Sequence, residues 1–232
     1  VLRLPKLPAT AGKQHWSNLP GAALSLAIAE AASAAKRFTL LLTADSQSAE
    51  RLEQELRFFA PELPVLHFPD WETLPYDLFS PHQDIISQRI ASLYRLPELS
   101  HGVLVVPITT ALHRLAPTKF LLGSSLVLDI GQKLDVEQMR TRLEASGYRC
   151  VDTVYEHGEF AVRGALIDLF PMGSKLPYRI DLFDDEIETL RTFDPETQRS
   201  IDKVESVRLL PAREFPLQKD AVTRFKARFR ER

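Results

Sequence analysis

Residues 18–25 read Asn-Leu-Pro-Gly-Ala-Ala-Leu-Ser, where a nucleotide-binding parallel sheet would put its phosphate loop. That loop needs glycines for close backbone approach, a lysine for the β- and γ-phosphates, and a hydroxyl for magnesium. Here Asn18 and Ala23 stand at the glycine positions and Leu24 at the lysine, so only Ser25 matches. A leucine offers neither charge nor donor, so the window predicts a plain helix start and no ATP site. Asp184-Asp185-Glu186 could be the magnesium-binding end of a motor ATPase strand. Without a lysine loop upstream, it reads as a hairpin turn. Cys150 and His157 lack a third orienting group, which makes a buried structural cysteine the expectation. The six histidines show no ligand spacing, so no metal and no cofactor are expected.

The most informative segment is residues 178–183 (YRIDLF). Strand alternation puts Tyr178, Ile180 and Leu182 on one face and Arg179, Asp181 and Phe183 on the other. Residues 160–163 alternate likewise and offer Arg163. Two readings stay open: a solvated face with a cross-strand ion pair, or a protein-binding patch rich in arginine and aromatic side chains.

The elements that must position these residues fall into two patterns. The apolar runs at 38–43 (FTLLLT), 65–68 and 102–107 (GVLVVP) alternate with helical stretches, which predicts a parallel sheet with both strand faces buried. The helix after Asp45 carries Ala49, Leu52, Leu56 and Phe59 on one stripe, and residues 84–96 form another helix. A helix over 135–146 is capped by Asp135 and ended by Gly147. Strands at 166–170, 178–183, 187–193 and 204–210 then predict an antiparallel meander, hence a separate α+β domain. A basic helix follows, in which Arg224, Lys226, Arg228 and Arg230 read as a solvated face, with DNA contact as the alternative. The chain stops inside that helix, which suggests a fragment of a longer protein.

With 44% apolar and 26% charged residues, disorder over most of the chain is excluded. One cysteine rules out an internal disulfide, and no stretch approaches the ~20 apolar residues of a membrane span. A cytoplasmic protein without membrane contact is expected. The net charge of −2 argues against nucleic-acid binding by bulk charge. Residues 122–210 hold 11 Lys/Arg against 17 Asp/Glu, a poor surface for a phosphate backbone.

Residues 70–97 (DWETLPYDLFSPHQDIISQRIASLYRLP) and 156–194 (EHGEFAVRGALIDLFPMGSKLPYRIDLFDDEIETLRTFD) closely resemble the N-terminal region of bacterial transcription-repair coupling factors. That module is similar to the excision-repair helicase UvrB, with its F-R-V-R-G…D-x-F-P and R-x-E-F-F-x-D-E-I-E patterns. The resemblance implies an α/β fold: a degenerate RecA-like (P-loop helicase-type) parallel-sheet domain with an inserted α+β antiparallel-sheet domain. Residues 1–120 would form the first part of the helicase domain. Residues 121–210 would be the insertion, which binds UvrA, and 211–232 the start of the returning helicase segment.

The UvrA-binding positions implied by the resemblance are Arg163, Arg179, Asp181 and Phe183. Ala161 replaces the first arginine of F-R-V-R-G, so that contact would be missing, and the loop 69–81 is too short for UvrB's DNA-clamping hairpin. The implied role is a non-catalytic adaptor that recruits UvrA to stalled RNA polymerase in transcription-coupled repair. The parent would translocate on DNA with a separate motor, reach RNA polymerase and DNA through other domains, and mask the UvrA face at rest. An active ATP-dependent UvrB-type helicase is the alternative.

Overall fold

The computed structural model describes residue 7 and residues 11–74, 77–217 and 219–231. Pro75 and Tyr76, within the loop compared with the DNA-clamping hairpin, lie outside the described residues. In chain order the elements are α1 (Ala23–Ala35), β1 (Phe38–Thr43), α2 (Ser46–Phe59), β2 (Val65–His67), α3 (Gln83–Arg95), β3 (Gly102–Pro107), α4 (Ile108–Ala111), α5 (Thr118–Gly123), β4 (Leu126–Asp129), α6 (Val136–Ala145), β5 (Arg149–Cys150), β6 (Glu159–Arg163), β7 (Leu166–Leu169), β8 (Tyr178–Phe183), β9 (Glu186–Phe193), β10 (Ser200–Val204), β11 (Ser206–Leu209) and α7 (Lys219–Arg230). They form two compact units, Val1–Glu72 with Arg95–Arg114, and Thr73–Tyr94 with Leu115–Arg232.

The first unit holds a parallel sheet in the order β1-β3-β2. Helix α2 starts at Asp45, whose carboxylate accepts from the Ser48 N–H at 2.7 Å. Its stripe Ala49, Leu52 and Leu56 is buried with Ile28, Ala29 and Ala32 of α1 against Val65, Val103 and Val105 of the sheet. Gly102 opens β3 at φ +126°, and a Cβ there would lie 2.5 Å from the Pro64 carbonyl oxygen. The two-sided burial expected of β1 does not hold. Leu41 packs into this core, while Phe38, Leu40 and Leu42 alternate to the other side and are exposed. Both helices pack on the face that carries Leu41, so an unbroken apolar run need not mean two covered faces.

The second unit holds a six-stranded sheet in the order β10-β9-β8-β7-β6-β5. It is antiparallel except for the parallel β5–β6 pair, and β4 with β11 makes a separate antiparallel pair. Asp135 caps α6 by accepting from the Gln138 N–H at 2.8 Å. Met139 and Leu143 of α6 pack on the inner face of the sheet, formed by Phe160, Ile167, Leu169, Ile180, Leu182, Ile187 and Leu190. The buried Tyr148 hydroxyl donates to the Leu210 carbonyl at 2.6 Å, and burial pushes its phenol pKa up.

Helix α3 belongs to this second unit. Ile86, Ile90 and Leu93 pack in the second core. Arg89, fully buried, forks onto Glu214 at 2.5 and 3.1 Å. The Ser87 hydroxyl accepts from the Gly173 N–H at 2.8 Å. His157 lies between Asp84 and the Ser174 carbonyl, at 2.7 and 2.8 Å. Cys150 is exposed rather than buried, because it sits on the two-residue edge strand β5. The ring nitrogens of His157 face Asp84 and Ser174, which leaves no thiol dyad. Helix α7 has no buried residue, and its four expected cations are exposed.

Candidate functional site

Asn18 has φ +59°, and helix α1 begins at Ala23 after the N-cap residue Ala22, without a side-chain cap. Leu24 packs against the first core instead of facing a ligand. Ser25 is fully buried and its hydroxyl donates to the Glu55 carboxylate of α2. The one side chain that matches the phosphate-loop pattern is therefore consumed by a helix–helix contact, while Ala23 and Leu24 offer no polar atom.

The carboxyl ends of β2 and β3 are similarly tied up. Asp70 accepts from the Thr109 and Thr110 hydroxyls, each at 2.9 Å, and from the Glu72 N–H at 3.1 Å. Partial burial works against ionisation of Asp70, yet these donors outweigh it and hold its pKa below the ordinary aspartate value. Trp71 stacks on His113 with ring centroids 4.7 Å apart. Among the described residues no group of three or more His, Cys, Asp or Glu is placed to hold a metal. No helix among them is long and apolar enough to cross a membrane.

The outer face of the six-stranded sheet is built by register. Across β6, β7, β8 and β9, Ala161, Asp168, Arg179 and Arg191 lie opposite one another. The neighbouring row is Arg163, Leu166, Asp181 and Thr189. Directly opposed side chains stand ~4.5–5.5 Å apart at Cβ, within reach of an ion pair. Asp168 is the centre of the arrangement, with no exposure at its carboxylate. Its Oδ1 accepts from Arg179 Nε at 2.8 Å, and its Oδ2 from Arg179 Nη2 at 2.9 Å and from Arg163 Nη2. Arg179 Nη1 also donates to the Gln198 carbonyl at 3.2 Å, and its guanidinium carbon lies 4.8 Å from the Phe193 ring centroid. The hydrogen bond to Asp168 raises the Arg179 pKa further.

The four sequence-derived positions thus differ in what they present. The Phe183 residue is 70% exposed and the Arg163 side chain 45%, against 17% for Arg179 and 22% for Asp181. Arg163 and Arg179 meet on one carboxylate. Asp181 accepts from Arg191 and, at 2.7 Å, from the Thr189 hydroxyl, and Arg179 is held by Asp168. Residues two apart on one strand are ~7 Å apart, whereas a cross-strand neighbour is nearer, so register decides the pairing. Phe183 ends β8 beside the tight turn at Asp184, whose φ is +53°. Asp184 and Asp185 of the acidic triplet are that turn, Glu186 opens β9, and Asp185 is bonded to Lys133 at 2.8 Å. Ala161 is buried with Val154, Phe170 and Phe193.

Asp168 and Arg191 were missed by sequence reasoning. The available signal was a lone acid in the apolar strand Leu-Ile-Asp-Leu, where alternation turns it to the same side as Leu166.

Residues 126–215, which include the sheet with this face, match the family described as the UvrB interaction domain. The chain is also similar to a stretch of several transcription-repair-coupling factors. It is 50% identical over 226 residues to the factor of Escherichia coli (strain K12), a match covering 97% of this chain and 20% of that protein. It is 49% identical to the factor of Haemophilus influenzae, over 92% of this chain and 18% of that one. Against the factor of Bacillus subtilis (strain 168) it is 27% identical, over 91% and 18%. The chain spans about a fifth of the length of these curated relatives.

Proposed function

We propose that the chain is the non-catalytic, UvrB-like module of a transcription-repair coupling factor, and that the outer face around Arg163 and Phe183 recruits UvrA in transcription-coupled excision repair. The observation that carries the reading is the combination of an exposed Phe183 with an exposed Arg163 anchored on a buried carboxylate. An aromatic side chain supplies apolar contact area, and a guanidinium supplies planar donors for partner carboxylates. Relatedness to the coupling factors supports the same role, and in the full-length protein other domains would reach RNA polymerase and DNA and mask this face at rest.

In this reading the first unit is a degenerate RecA-like domain, with residues 121–210 inserted and 211–232 leading back to it. The alternative of an active UvrB-type ATPase is disfavoured by Leu24 in the core and Ser25 on Glu55. The test is calorimetric. The chain should give no heat with ATP and magnesium above dilution, and should bind purified UvrA. Micromolar ATP binding, or no UvrA binding at any concentration tried, overturns the proposal.

A further inference from the structure

We infer that Asp168, buried beneath the outer face of the six-stranded sheet, is the positioning residue of the recruiting surface and sets the Arg163 guanidinium for a partner carboxylate. The inference rests on the UvrA reading and deepens it. Asp168 lies on β7, and the two arginines come from the strands on either side, β6 and β8. One carboxylate therefore orients two guanidinium planes.

The two arginines are held to different degrees. Arg179 gives Nε and Nη2 to Asp168 and Nη1 to Gln198, and lies over Phe193. Arg163 gives only Nη2 to Asp168, and among the described residues it makes no other hydrogen bond. Arg179 is thus a brace that fixes the carboxylate from the neighbouring strand β8, and Arg163 is the more exposed arginine with unused donors.

Two consequences follow for binding. Ordering a long side chain opposes association, and an arginine already fastened at one end has met part of that cost before the partner arrives. Two guanidinium groups on one carboxylate also leave a local excess of positive charge. That excess favours an acidic partner surface and disfavours a basic one.

The experiment uses Asp168→Asn in the 232-residue chain, a replacement of nearly the same shape that cannot accept the arginine fork on both atoms. UvrA affinity is measured at a temperature where circular dichroism shows the variant folded. Asp168→Asn should weaken binding about tenfold in the wild-type and Phe183→Ala backgrounds, but less than about threefold once Arg163→Ala has removed the presented group. A residue that merely stabilises the fold would shift affinity equally in all three. Binding within about threefold of wild type, or an equal loss in every background, overturns the inference.

Side-chain nitrogen spectra of the free chain decide the matter without UvrA. The Arg163 guanidinium should rotate slowly in the wild type and freely in Asp168→Asn. Free rotation in the wild type overturns the positioning role even if Asp168→Asn does not fold. If Arg163→Ala and Phe183→Ala both bind UvrA like wild type while the spectra behave as expected, the UvrA assignment fails and the anchoring stands.

Discussion

The start of α1 and the outer face of β6–β8 are both places where the sequence points to ligand chemistry, and they handle their polar groups in opposite ways. At α1 the one suitable hydroxyl, on Ser25, is buried and donates to Glu55, and Leu24 turns into the core. The contact with Glu55 takes up the Ser25 hydroxyl. On the sheet a carboxylate is buried instead, and it holds cationic side chains at the surface, where Arg163 keeps donors free. A buried polar group is stable only when satisfied. Whether satisfying it closes a site or builds one depends on which partner stays at the surface.

The contrast is broken most strongly at Arg179. The resemblance places it among the UvrA-binding positions, and in the structure it is the less exposed of the two arginines on a buried carboxylate. Arg179→Ala should therefore destabilise the second unit by ~3 kcal/mol, the low end for breaking a buried pair, because Arg163 remains on Asp168. Urea unfolding at neutral pH checks this. An unchanged midpoint would mean the carboxylate is better solvated than its burial implies.

A smaller effect is expected at Glu159, the buried acid at the start of β6. Burial opposes its ionisation, yet the Tyr155 and Glu156 N–H groups and Arg149 outweigh that and hold its pKa below the ordinary 4.5. Its contribution is therefore present above the unfolded-state pKa and lost as pH falls through the lower folded value. Glu159→Gln should cost ~1–3 kcal/mol at pH 7. The difference from wild type should shrink as urea midpoints are followed down into the acid range, and a gap that persists in acid argues against it.

Least is expected at α1. Ser25→Ala should lower stability by about 1 kcal/mol, since it removes one buried hydrogen bond and leaves Glu55 partly exposed. On the proposed reading, calorimetry with ATP should be unchanged, because the Ser25 hydroxyl is already committed to Glu55.

Much of the fold was legible because local patterns and local structure agree. The α2 stripe, the Asp135 cap and the alternation of β8 all follow from residues near in sequence. What was not legible depended on distant partners. The stripe of α3 announces that Ile86, Ile90 and Leu93 must be covered, but not that the second unit covers them. Strand β4 finds its partner β11 some eighty residues on. The apolar run of β1 does not reveal that both helices take one face. At the site, alternation turned Arg163, Arg179, Asp181 and Phe183 outward correctly. It could not tell outward from exposed, nor show that Asp168 across the register, rather than Asp181, holds Arg179.

The most direct test of the central claim compares Phe183→Ala with Ile180→Ala, two residues of β8 on opposite faces of the sheet, by UvrA affinity and thermal melting together. Phe183→Ala should bind UvrA ~30-fold more weakly, about 2 kcal/mol, with a melting temperature close to wild type. Ile180, fully buried, should do the reverse, with ~2–5 kcal/mol of stability lost and affinity retained by the molecules still folded. An early-melting Phe183→Ala, or one that binds UvrA as wild type does, would contradict the assignment of this face.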